Sequence, residues 1–120
     1  MDDYNDLVNA MKALTQGEGS ATVTLPMAEY EWNTRPESNS YGTIRIDFEV
    51  DPLNGDDRKV SRAYEGSVDL FSRNRNGDGW IQEIEETLAS YCDSAWMLNL
   101  RAYENDTRLF HWEWSFQVEG

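Results

Sequence analysis

Apolar residues recur along the chain in two rhythms, one helical and one alternating. Near the start Tyr4, Leu7, Val8, Met11 and Leu14 stand three and four positions apart, which gathers them on one stripe of an amphipathic helix over residues 2–16. Asp2 and Asp3 offer a cap and a charge that the helix dipole favours, and Gly17 and Gly19 end the pattern. Val23, Leu25 and Met27 then alternate, but Pro26 cannot donate to a ladder, so an edge or bulged strand is expected there. In GTIRIDFEVD, residues 42–51, Ile44, Ile46, Phe48 and Val50 fall on one face, with Arg45, Asp47 and Glu49 on the other: a half-buried strand. Val60, Tyr64, Val68 and Leu70 suggest a long strand interrupted at Gly66. Asp78 is the expected N-cap of a second helix whose stripe is Ile81, Ile84, Leu88 and Tyr91. Residues 95–104 and 108–119 alternate again and are joined by Asn105, Asp106 and Thr107, the signature of a hairpin.

In the last of these strands Phe110, Trp112, Trp114, Phe116 and Val118 share a face, opposite His111, Glu113, Ser115 and Gln117. So much aromatic area on one side needs a cover, and the two helices are available to provide it. The order α-β-β-β-α-β-β therefore predicts an α+β fold, with two helices packed on one face of a mostly antiparallel sheet of about five strands. No linker or repeat divides the chain, so residues 1–120 are expected to form a single domain.

Composition supports a self-sufficient core: 39% of the 120 residues are hydrophobic and 12% aromatic, enough to fold without a metal or a disulfide. Cys92, the single cysteine, has no partner within the chain and no His or Lys near it in sequence, which suggests a structural thiol in a reducing compartment. The opening residues are acidic and carry no continuous apolar run, so neither export nor a membrane span is expected, and synthesis in a cytoplasm is. A net charge of −13 argues against gripping nucleic acid, because phosphate binders concentrate Lys and Arg.

One stretch, NRNGDGWIQEIEE at residues 74–86, approaches a calcium loop, with Asn74, Asn76, Asp78, Gly79 and Glu85 at the ligand and turn positions. The residues entering it, EGSVDLFS, alternate like a strand where a calcium-binding helix pair requires a helix, and no second loop matches. Asn, Gly and Asp also suit a strand-to-helix turn. The turn is the preferred reading; a single-loop calcium module, with Asn74, Asn76, Asp78 and Glu85 as ligands, is the alternative. No cofactor is expected otherwise. His111 is the only histidine, which excludes histidine metal clusters, and its polar strand face suggests a solvated or hydrogen-bonded residue rather than a general base. The carboxylates show no pairing in sequence, and no Gly-rich phosphate loop is present, so no enzyme is expected. Trp32 lies in a polar loop, where it is either an interface residue or a lid folded over a core edge.

Four pieces occur in order: EWNTRP with Tyr41 and Gly42; GDDRK at residues 55–59; YEGSVDLFS at 64–72; and SAWML leading to YENDTRLFHWEWSF, within residues 94–116. Together they resemble the tail terminator proteins (tail completion, or minor tail components) of long-tailed bacteriophages, over roughly residues 25–118. The resemblance implies a helix-on-sheet domain that assembles with copies of itself, usually as a ring of six, on the head-proximal end of the tail tube. It implies the tail tube protein and a head-completion or connector protein as partners, DNA only as passing cargo, no membrane, and a place in the virion tail after assembly in the host cytoplasm. Loop residues Trp32, Arg35, Tyr41, Asp56, Asp57 and Lys59 are the candidate contacts. An acidic excess suits a channel through which DNA slides without sticking. The alternative is a small acidic phage inhibitor or DNA mimic, which would carry its carboxylates in rows on one face.

Overall fold

The computed structural model of the chain describes residues 2–50 and 63–119. Helix α1 spans Asp2–Lys12 and buries Tyr4, Leu7, Val8 and Met11, the stripe its spacing predicts. It stops short of residue 16 because Thr15–Gln16 (β1) turn away to pair antiparallel with Val23–Thr24 (β2) around a 3-10 turn at Gly19–Ala21. Val23 is exposed on this ribbon, while Leu25 is buried. The alternation at residues 23–27 is therefore not one strand: it breaks at Pro26, and Met27–Glu29 (β3) belongs to the main sheet.

The remaining elements are β4, Ser40–Val50; β5, Ala63–Ser72; α2, Trp80–Cys92; β6, Trp96–Glu104; and β7, Leu109–Glu119. The main sheet has five strands in the order β3-β4-β5-β7-β6. Pairing is antiparallel throughout except for β3, which lies parallel to β4 at the edge. Pro26, having no N–H, contributes only its carbonyl, which accepts from the Gly42 amide at 2.8 Å. Both helices cover one face of the sheet, and the aromatic side of β7 meets them: Trp112, Trp114, Phe116 and Val118 are buried, with Phe110 packed against the same cluster. This is the α+β architecture expected from the alternation.

Local departures have physical causes. A β-bulge between Ile46 and Phe48 puts Phe48 opposite Glu65, on the side away from the helices. Phe48 is consequently 55% exposed, whereas Ile44 and Ile46 keep to the core side. Gly66 does not interrupt β5; the strand runs through it. An ideal Cβ there would lie 2.2 Å from the Arg45 carbonyl oxygen and 2.5 Å from Phe116 Cζ, so only glycine allows the approach. Helix α2 buries Trp80, Ile84, Leu88 and Cys92, while Tyr91 is exposed and Ile81 is half-buried. The predicted stripe thus holds at Ile81, Ile84 and Leu88, with Trp80 added, and departs at its end, where Cys92 rather than Tyr91 faces the core. Burial pushes the Cys92 thiol up to about 11, with Asp93 and Asp3 adding to it, which leaves it an inert core thiol.

Candidate functional site: the open sheet face and the β6 edge

Cross-strand register assembles the face of the sheet that the helices leave uncovered. Tyr41, Phe71 and His111 form one row across β4, β5 and β7, and Thr43, Asp69 and Glu113 form the next. Asp69, only 4% exposed, accepts from Arg45 Nη1 at 2.6 Å and lies 2.7 Å from His111 Nε2. The other ring nitrogen, Nδ1, lies 3.0 Å from Glu104 Oε2 on β6. Arg45 also donates from Nε to Asp47 at 2.8 Å and stands 3.5 Å from Glu113, while the Ser67 hydroxyl donates to Asp47 at 2.5 Å. Burial opposes a charge on His111, but Asp69 and Glu104 outweigh it and hold the imidazole pKa above its ordinary value of 6.5. The same contest ends the same way for Arg45: burial lowers its pKa, and Asp69 and Asp47 raise it further.

Of the two expectations for His111, solvated or hydrogen-bonded, the structure shows the second, with carboxylate partners that only the strand register brings to it. His111 is a half-buried link whose two nitrogens are both taken by carboxylates, tying edge strand β6 to β5 across β7. That geometry suits a protonated, structural imidazolium; a general base needs a nitrogen free to accept. Among the described residues every buried side-chain nitrogen and oxygen has a hydrogen-bond partner, as a stable polar network requires.

Next to the network, aromatic rings stack in a column. Tyr41 and Phe71 lie 5.2 Å apart at 20°, Phe71 and His111 4.3 Å apart at 19°, and the Arg35 guanidinium sits 5.9 Å from the Tyr41 ring centre. The loop after β3 crosses this end of the sheet. It turns at Tyr30, which adopts φ 74, and the Trp32 indole then donates to the Gly42 carbonyl at 3.0 Å. Trp32 thus lines a cavity of about 500 Å³ together with Arg35, Tyr41, Thr43, His111 and Glu113. Of the predicted contact residues, Trp32, Arg35 and Tyr41 come together at this corner, and Asp56, Asp57 and Lys59 lie outside the described residues.

The calcium-like stretch is entered by strand β5, as its alternation indicated, and passes through a 3-10 turn at Gly77–Gly79. Asp78 is not the N-cap of α2. It sits inside the turn at φ 56, and Gly79, at φ 82, occupies the cap position. The Asp78 carboxylate receives the Ser40 hydroxyl at 2.5 Å, the Ser72 hydroxyl at 3.3 Å and the Asn74 amide; its own N–H donates to Asn76 Oδ1 at 3.0 Å. Glu85 accepts from the Trp114 indole at 2.9 Å. The two carboxylates at the pattern positions, Asp78 and Glu85, thus each accept from protein donors. Among the described residues no group of three or more His, Cys, Asp or Glu converges as a metal site would require.

At the far edge of the sheet, β6 pairs only with β7 among the described strands. It displays Met97, Leu98, Leu100 and Tyr103 at 38% to 60% exposure. A groove of about 550 Å³ runs along α2 and reaches the start of this edge at Trp96, lined also by Ile81, Gln82, Glu85, Glu86 and Ala89. Alternation in the sequence disclosed the strand but not its edge position, since strand order depends on which neighbours pair. Asp69 was missed for a related reason: only the register brings Arg45 and His111 to it.

No family model matches the chain, and no curated protein matches it. No helix among the described residues is long and apolar enough to cross a membrane.

Proposed function

We propose that the chain is a structural subunit that caps the head-proximal end of a phage tail tube as a ring, ending tube growth and joining the tail to a head-completion or connector protein. The observation that carries an assembly role is the β6 edge, a nine-residue strand with large apolar side chains exposed along it. Isolated proteins blunt such edges with charge, proline or cover, because an open apolar edge recruits other chains. The tail assignment itself comes from the ordered resemblance to terminator proteins, and the helix-on-sheet architecture agrees with it.

In this reading the Trp32, Arg35 and Tyr41 corner meets the next copy. Arg35 offers that neighbour a cation from an otherwise acidic chain, and a head-to-tail contact of this kind closes into a ring when its rotation fits a symmetry. The residues of the open face favour this role over DNA mimicry. Asp69, Asp47, Glu104 and Glu113 are turned toward Arg45 and His111, whereas a mimic must present its carboxylates outward. Like-charge repulsion between copies means that added salt promotes assembly.

The test is negative-stain imaging of the protein mixed with tail tubes of its parent phage. Density at one end of the tubes is expected. Bare tube ends, together with normal tube length when the gene is deleted, would refute the role.

A further inference from the structure

The apolar edge and the groove beside it define what they accept. Among the described residues no strand lies on the outer side of β6, and β7 pairs with its inner side from Trp96 to Glu104, with a bulge between Leu98 and Leu100. An extended segment laid against it continues the ladder, and its side chains then point alternately to the two sides of the sheet. On the helix side the residue laid beside Trp96 enters the groove floored by Ile81, Ala89 and Trp96, and on the other side the intervening residues meet Met97 and Leu100.

The rim sets the charge. Glu85 and Glu86 border the groove on α2, and Arg101 is the single cation on β6. A second copy brings the same acidic rim and the same net charge of −13, so pairing β6 with β6 sets like charges against each other. Complementarity requires the opposite sign.

We infer that the β6 edge and the α2–β6 groove dock an extended segment of a different protein in which apolar residues alternate with Lys or Arg. The inference rests on the assembly reading only in taking β6 as an interface. It needs no tail tube.

The experiment uses the full chain, labelled for NMR, and three synthetic peptides of about ten residues, a length matched to β6 at ~3.3 Å per residue. One alternates valine with lysine, one has the same composition with the lysines in a block, and one alternates valine with glutamate. Expected are amide shifts concentrated in residues 96–104 and affinity for the alternating lysine peptide at least ~10-fold above both others. Ala89→Arg, which fills the groove, weakens that binding by ~10-fold or more, while Asn9→Arg, the same charge change on the exposed side of α1, alters it by less than ~2-fold. Equal binding of the block peptide, or equal losses in the two variants, would reduce the effect to bulk charge and overturn the proposal. Dimers in sedimentation that Leu98→Lys abolishes would assign the edge to a second copy and overturn it too. Failure here leaves tube capping to be decided by imaging, and bare tube ends leave the peptide result standing.

Discussion

Replacing Asp69 with Asn isolates the charge at the centre of the open face while keeping the side chain's shape. The carboxylate holds two charge-assisted hydrogen bonds, to Arg45 at 2.6 Å and to His111 at 2.7 Å, each worth about 1.5–3 kcal/mol. Some of this is recovered, because Arg45 keeps Asp47 and Glu113 and His111 keeps Glu104, and because Arg45 is about one-third exposed and partly screened. The net loss is therefore about 2–3 kcal/mol, toward the lower end for a broken buried pair, or ~8–12 °C in Tm for a domain this size. The sign of its pH dependence follows from His111. Its pKa in the fold lies above the ordinary 6.5, so the imidazolium's contribution is complete below 6.5 and is lost as pH rises through the raised value. Urea unfolding of both proteins at about pH 6 and about pH 9 measures this directly. The parent should lose stability over that interval, Asp69→Asn should lose less, and the gap between them should narrow. A gap that stays constant or widens would refute a protonated His111 held by Asp69.

Further outcomes follow from single positions. Gly66→Ala should cost at least ~2 kcal/mol in chemical unfolding, since the new methyl meets the Arg45 backbone and Phe116 inside a paired strand; a neutral result would mean that β4 and β5 separate there readily. Phe48→Lys should stay within ~0.5 kcal/mol of the parent, while Ile46→Lys, two positions away on the core side of the bulge, should cost over ~3 kcal/mol; equal penalties would contradict the bulge. Calorimetric titration of calcium should give no saturable heat at millimolar metal, because Asp78 and Glu85 are engaged with Ser40 and Trp114. A one-site isotherm removed by Asp78→Ala would restore the calcium alternative.

The parts of the fold legible in sequence are those where periodicity maps directly onto burial. From Phe110 to Val118 strand β7 alternates between core and open face, and α1 keeps a stripe that the structure buries at Tyr4, Leu7, Val8 and Met11. Where alternation misled, a backbone event had intervened. The bulge at Asp47 moved Phe48 to the wrong side, and beyond the turn at Gly77–Gly79 helix α2 starts with Trp80 buried as well as Ile81 packed against the core. Lone polar residues were least legible. His111 and Asp69 lie forty-two positions apart, and neither has a local cue, since only pairing of β5 with β7 makes them neighbours. The Trp32 corner was half readable: a tryptophan in a polar loop signals either contact or cover, and only its hydrogen bond to Gly42, set by the fold, fixes where the indole lies.

The strand order carries a kinetic consequence. β4 with β5 and β6 with β7 are ribbons of sequence neighbours, yet the seam that unites them joins β5 to β7, with α2 and β6 intervening. During synthesis the first ribbon and α1 must wait with one flank open until β7, the last of the described strands, has emerged and brought Trp112 and Trp114 beneath the helices. A chain halted inside β7 therefore holds the β4–β5 ribbon without its neighbour, and the contacts that close the seam span more of the sequence than those of either ribbon.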